Sequence, residues 1–323
     1  MRAPADAIEW IRRARRLVPR EDRKVLLSPP RLVARFLRFA RTRHAGHAAA
    51  ASADDVRCRD PELVELLLGF FRLAGRAYFR LQVQGIENVP ASGPVLLVGN
   101  HNGGLLPTDG FFTALAVHDH LGPSRGVYAL VHDFLLEDPL LRRYALRLGM
   151  LRAGHESARH AFDAGQCVLV YPGSDFDTFR PLRDRGRIVL GGRKGFLVLA
   201  LSAGVPIVPV VAAGTHEQLV VLPRGDRLAR LVHAHAWART DVMPIVLAAP
   251  WGLTSGFVPY WPLPAQTTIA FGEPLRWPQV SPEQARDPAI LERCYREVEG
   301  RMQAMLDELS RGRRFLLGKR RAR

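Results

Sequence analysis

The stretch VGNHNGGLLPTDGFF, residues 98–112, holds the two residues whose types and spacing best suit chemistry, His101 and Asp109. An apolar run ends at Asn100, and His101 follows at its mouth. In open α/β sheets ligands bind outside the carboxyl ends of the strands, where His101 falls. A neutral imidazole there can take a proton from a hydroxyl, provided a carboxylate holds its tautomer and orientation. Asp109 is the nearest carboxylate in sequence. Seven residues separate the two, among them Gly103, Gly104 and Pro107, so the loop must bulge for the carboxylate to reach the ring. If it does not, Asp109 serves with Thr108 as a cap for the helix FFTALAV, and Asp175 or Glu217 must orient the imidazole.

Other common sites are excluded. No GxSxG nucleophile elbow occurs. Gly186 to Gly191 has the first spacing of a phosphate loop, but Gly192 stands where a lysine is needed. HESARH has one residue too many for a zinc-binding helix pair, and His118-Asp119-His120 and His233-Ala234-His235 come with no third ligand. No metal is therefore expected. Cys58, Cys167 and Cys294 are too far apart for a metal pair, and their odd number argues against a disulfide framework. A reducing compartment follows. The N-terminus lacks the apolar core of a signal peptide, so secretion is not expected.

The charge is concentrated at the two ends. Residues 1–60 carry a net +8 and residues 311–323 a net +7, which together make the whole +15 of the chain. A neutral body with basic ends favours a polyanion, either nucleic acid or an anionic membrane surface; a solvated tail is the plainer reading of the C-terminus. No base-stacking aromatic platform or recognition motif supports nucleic acid. SPPRLVARFLRFARTR places Arg31, Arg35 and Arg38 on one helical face and Leu32, Phe36 and Leu37 on another, the pattern of a helix lying in a membrane interface.

The elements that must position His101 follow from periodicity. PVLLVGN, GVYALV, CVLVYPG and VPIVPVV are short, β-rich and bounded by Gly or Pro, as buried strands are. FFTALAV, PLLRRYALRLG, SARHAFDAG and FLVLALSAG read as helices between them, TTIAFGEPL as a late strand, and 288–310 as a charged amphipathic helix. This alternation predicts an α/β fold, a central mixed sheet flanked by helices, with N-terminal amphipathic helices. DPELVELLLGFFRLAGRAYFR starts on an Asp60 cap and Pro61 and is apolar on most sides, so it is buried in protein or lipid. Residues 242–272 hold no charge and five prolines, and read as strands and loops lined by Trp251, Phe257, Tyr260 and Trp261. An acyl-sized site could form at Trp251–Trp261. The organisation expected is a basic helical segment and linker over 1–59, a domain over 60–310 and a basic tail over 311–323.

GNHNGGLLPTDG resembles the His-Asp block of the glycerolipid acyltransferases, the lysophosphatidic-acid acyltransferase superfamily. YPGSDFDTFRPLRDRGRIVLGGRKGFLVLAL resembles the PGG block and Arg-rich segment of the branch that includes mono- and diacylglycerol acyltransferase-like proteins. AGVPIVPVVAAGTHE is similar to the VPIVPV block, and LGMLRAGHESA stands where the second block belongs. The four blocks keep their order over residues 60–280. The usual block has four residues between His and Asp, against seven here. YPGSDF lacks the Glu and Arg of the phosphate-acceptor enzymes, and Ser174 replaces the second Gly of the closer branch.

The resemblance implies acyl transfer from acyl-CoA or an acyl carrier protein to a hydroxyl of a glycerolipid, with no cofactor beyond the thioester donor. His101 would be the general base and Asp109 its orienting carboxylate. Asn100, Gly103, Gly104, Arg152, Pro172, Gly173, Ser174, Asp175, Arg180, Arg193 and Lys194 are the expected substrate-binding residues. The partners expected are the thioester and acceptor, an anionic membrane surface and an acyl carrier protein, with a peripheral location on the cytoplasmic face. The alternative is a catalytically inactive, membrane-associated lipid-binding protein.

Overall fold

A computed structural model describes residues 5–26, 55–101, 104, 106–233, 242–256 and 258–319. The expected interfacial helix over 28–43, the linker before residue 55, Gly103 and Phe257 lie outside the described residues. The strands are β1 Gln82–Gln84, β2 Val95–Gly99, β3 Val127–Val131, β4 Met150–Arg152, β5 Cys167–Val170, β6 Ile207–Ala213, β7 Val220–Val221, β8 Ile245–Ala248, β9 Gly252–Ser255 and β10 Thr268–Phe271, followed by a short hairpin of β11 Arg313–Arg314 and β12 Gly318–Lys319. The helices are α1 Ala5–Leu17, α2 Arg20–Leu26, α3 Pro61–Ala77, α4 Thr108–Leu121, α5 Asp133–Glu137, α6 Pro139–Arg147, α7 His155–Asp163, α8 Ser174–Thr178, α9 Gly195–Ala203, α10 Asp226–Leu231 and α11 Pro288–Ser310.

Seven strands form the central sheet in the order β1-β10-β6-β2-β5-β3-β4. All neighbours are parallel except β10 and β6, so the mixed sheet expected from the alternation is present. β2 lies at its centre, between β5 and β6. Every residue of β2 and β6 is buried. Strands covered on both faces need apolar side chains at consecutive positions, which is why VLLVG and IVPVVAA read as continuous runs.

Alternate β2 side chains serve different layers. Leu96 and Val98 pack with Val168 and Ile207 against α7, α9 and α11, through Phe162, Leu197, Val298 and Met302. Val95 and Leu97 pack with Leu169 and Val208 against α3 and α4, through Leu68, Phe71, Phe112 and Val117. Phe71 stacks on Phe111 with centroids 4.3 Å apart. The apolar α3 is therefore buried in protein along its Leu63–Phe71 face. Asp60 caps it by accepting from the Glu62 and Leu63 N–H groups, and Pro61 suits the first turn because its missing N–H would be unpaired there.

Described residues on both sides of the 60–310 body pack against it. The segment before Asp60 is tied to the body: Trp10 Nε1 donates to the Leu66 carbonyl at 2.8 Å, and Ala14, Leu17 and Val18 pack against Leu63, Leu66 and Tyr144. In α2, Asp22 accepts from the Tyr144 hydroxyl at 2.7 Å. The tail is folded over 311–319. Arg313 is 6 % exposed, and its Nε donates to Glu217 Oε1 at 2.9 Å. The Leu316 N–H donates to the other Glu217 oxygen at 2.6 Å. A charge run suggests solvent, but a buried carboxylate 96 residues away in sequence draws this arginine in.

Candidate active site

The site forms where β2, β5 and β6 end. Asn100 leaves β2 fully buried and clamps β6: its Nδ2 donates to the Ala212 carbonyl at 3.1 Å, and its Oδ1 accepts from the Ala212 N–H at 2.8 Å. Both polar ends are engaged with Ala212, so Asn100 ties the end of β2 to β6. The next residue, His101, is thereby aimed out of the strand end. Its own N–H donates to Asp177 Oδ2 at 2.5 Å.

The carboxylate does reach the ring across the longer spacing. His101 Nδ1 and Asp109 Oδ2 are 2.9 Å apart. The α4 N-cap is Pro107, with no side-chain cap. Asp109 sits one residue inside the first turn, and the Thr108 hydroxyl donates instead to Gln218 Oε1 at 2.7 Å, so neither residue is the cap that sequence allowed. The positive end of α4 adds to the stability of a carboxylate there. Asp109 is an acceptor, which places the ring proton on Nδ1 and leaves Nε2 as the basic nitrogen. The His101 side chain retains 20 % exposure, against 1 % for Asp109. Burial works against the charged ring, but the charge and hydrogen bond of Asp109 and the charge of Asp177 outweigh it and hold the imidazole above its ordinary range.

The far wall is the segment after β5. Tyr171 stacks on the His101 ring, centroids 4.4 Å apart and planes 24° off parallel. Gly99 permits this, since a Cβ there would stand 2.4 Å from the tyrosine ring. Gly173 is required as well: its Cβ would meet the Val189 carbonyl oxygen at 2.1 Å. Ser174 sits at φ +50°, a left-handed conformation suited to the glycine of the closer branch. Asp177 and Arg180 then form a buried ion pair, and Arg180 Nη2 donates to His216 Nδ1 at 3.4 Å. Burial raises the Asp177 carboxyl to about 6 despite Arg180 and His101, and lowers the Arg180 guanidinium. Burial, and then the Arg180 charge, keep His216 well below the usual histidine range.

The remaining expected residues divide. Pro172 accepts from Arg193 Nη1 at 3.1 Å, and Arg193 Nη2 lies 3.6 Å from Asp175. Gly104, at φ +67°, packs where a Cβ would stand 2.7 Å from Leu219 and 3.1 Å from the Tyr260 hydroxyl. Arg180 is buried within the wall, so it shapes the site from behind. Lys194 pairs with Glu292 of α11 at 2.7 Å. Arg152 ends β4, three strands from β2, or roughly 14 Å at ordinary strand spacing; it does not join the cluster. Glu217, the reserve orienting acid, is engaged with Arg313, and Asp175 with Arg193. Tyr171, Asp177 and His216 were not singled out in the sequence. The three-residue step from Asp177 to Arg180 within one helical turn was the readable signal for that pair.

Comparison with known proteins shows what the chain is similar to. A family model described as acyltransferase matches residues 80–213, from the start of the sheet to the end of β6. The chain belongs to the glycerolipid acyltransferase superfamily. An uncharacterized protein of Mycobacterium leprae is 34 % identical over 245 residues, covering 76 % of this chain and 64 % of the relative. One from Mycobacterium bovis is 33 % identical over 252 residues, covering 78 % and 67 %. The chain thus spans about two thirds of the length of these relatives. A Bos taurus protein named DGAT1/2-independent enzyme synthesizing storage lipids is 28 % identical over 155 residues, covering 47 % of this chain and 44 % of that one. Among solved structures, the 1-acyl-sn-glycerophosphate (LPA) acyltransferase PlsC of Thermotoga maritima is similar with a TM-score of 0.47 and 17 % identity, covering 77 % of this chain and 80 % of that one. No helix among the described residues is long and apolar enough to cross a membrane.

Proposed function

We propose that this protein transfers a fatty acyl group from an acyl thioester, acyl-CoA or an acyl carrier protein, to a hydroxyl of a glycerolipid. The observation that carries this is the 2.9 Å contact between His101 Nδ1 and buried Asp109 at the end of the central strand. His101 Nε2 removes the acceptor hydroxyl proton as its oxygen attacks the thioester carbonyl. Asp109 stabilises the imidazolium that forms. The tetrahedral oxyanion is met by backbone N–H groups of the loop carrying Gly104. Its collapse breaks the carbon–sulfur bond, and the imidazolium returns the proton to the departing thiolate. Ester and free thiol leave, and no metal or second cofactor is required.

A neutral acceptor, a mono- or diacylglycerol, is favoured over a phosphorylated one. Arg180 is tied to Asp177 and His216 within the buried wall, and the storage-lipid name of the bovine relative supports the same choice. The longer His–Asp spacing was the motive for an inactive lipid-binding protein, and with the contact formed that motive lapses. The protein works peripherally on the cytoplasmic face of an anionic membrane. Labelled long-chain acyl-CoA, and separately acyl carrier protein, would be offered with lysophosphatidic acid, monoacylglycerol, diacylglycerol and a fatty alcohol. Acylated glyceride is the expected product; failure with both donors and every acceptor would overturn the proposal.

A further inference from the structure

Among the described residues, fourteen large apolar side chains stand exposed, and eight of them lie between Leu222 and Trp261. Leu222, Leu247, Trp251, Leu253 and Trp261 lie in or next to the second, three-stranded sheet, β7-β8-β9, and Leu228, Leu231 and Val232 on or directly after α10. The sheet's inner face is a core of Val221, Val246 and Ala248 over Phe179 and Leu219, with Tyr260 packed against it. Its outer face is apolar too. Leu247 and Leu253 are direct cross-strand partners, 52 % and 68 % exposed. Trp251 in the hairpin turn and Trp261, bridged to Ala249, are 55 % and 67 % exposed. The two tryptophans thus face outward and line no internal acyl site.

An antiparallel sheet with one face in water ordinarily alternates apolar with polar residues. Edge strands ordinarily carry charge against unwanted pairing. β9 is an edge strand, and residues 242–272 contain no charged side chain. Such a patch marks an interaction surface. The flanking chain indicates the partner. Residues 222–233 hold Arg224, Arg227 and Arg230 against Asp226 alone, with no Lys or Glu. Leu231, among those arginines, is 75 % exposed. Uncharged apolar surface with indoles and a basic flank suits the headgroup–acyl boundary of an anionic bilayer. A second copy on the same face would oppose arginines to arginines. The sheet is also continuous with the site, because Leu219 and Tyr260 pack at Gly104, three residues after His101.

We infer that the outer face of β7-β8-β9 is the surface by which the protein lies on a bilayer containing anionic lipid, with Trp251, Leu253 and Trp261 entering the headgroup boundary. The inference rests on the acyl-transfer proposal only for its benefit, that a lipid acceptor reaches His101 without crossing water. Its test does not require activity. The full chain and the double variant Trp251→Ser, Leu253→Ser would be sedimented with phosphatidylcholine vesicles, with and without phosphatidylglycerol. Both positions are exposed, and matched circular dichroism and melting would show the fold retained. Partition of the variant is expected to fall about tenfold or more on anionic vesicles, while His101→Ala partitions as wild type. Wild-type partition by the double variant would overturn the inference, as would a lipid-free dimer that the double variant converts to monomer.

Discussion

Replacing Asp109 by Asn tests the site at its most specific contact. The side chain is almost wholly buried and its oxygen lies 2.9 Å from His101 Nδ1. At an effective dielectric of about 20, a full charge pair at that distance interacts by about 6 kcal/mol. The pair exists in full only once the imidazole is protonated, as in the transition state. Loss of that differential corresponds to at most about 10⁴ in rate. The amide keeps the size and one acceptor, so the expected fall in kcat is about 10²–10⁴, the range of a positioned proton-transfer group. An amide that instead donates to Nδ1 drives the proton to Nε2 and removes the base, which places the result at the larger end. Thiol release would be followed across pH for both proteins, with melting curves as a control. The acid limb of kcat/KM should move to lower pH in the variant, because the charge that raises the His101 pKa is gone. Activity within about threefold of wild type, or an unmoved limb, would refute the reasoning.

In the wild type that limb should lie above the ordinary histidine value of about 6.5. The base must be neutral, and a raised pKa keeps it protonated to higher pH; by linkage, the stability His101 contributes is full below the ordinary value and lost as pH rises through the raised one. Asn100→Ala removes the two hydrogen bonds to Ala212, at about 0.5–1.5 kcal/mol each; urea unfolding would show it, with activity falling as β2 and β6 slip. Arg313→Met strands the Glu217 carboxylate and should cost about 3–5 kcal/mol, with much of it recovered by adding Glu217→Gln. A solvated tail would instead show a change within about 0.5 kcal/mol. Gly104→Ala forces a side chain to φ +67° against Leu219, at about 1–2 kcal/mol for the backbone alone, read as a lower melting temperature and slower turnover.

The central sheet was legible because its strands are buried on both faces and therefore uninterrupted by polar residues. α4, α9 and α11 were legible from their flanking Gly, Pro and Asp signals. The His101–Asp109 pairing was legible as a requirement, whereas the surroundings of Gly104 between them were not, because Leu219 and Tyr260 lie more than 100 residues away. Asn100 was read as a substrate ligand because its type suits one. Its clamp on Ala212 exists only once β2 and β6 are neighbours. Tyr171 at the His101 ring likewise depends on β5 lying beside β2. α1 is amphipathic and rich in arginine, and its place is fixed by Trp10 meeting a carbonyl of α3. Arg152 carried the right charge in the right block, yet β4 lies three strands from β2, and Lys194 is engaged by Glu292.

The central claim is that His101 acts as the base of acyl transfer. The direct measurement is the rate of labelled acyl transfer from a thioester to the best acceptor, for wild type and for His101→Ala, both shown to melt alike and to bind vesicles alike. The account predicts ester from the wild type and a loss of at least about 10³ in the variant. Equal rates would contradict it.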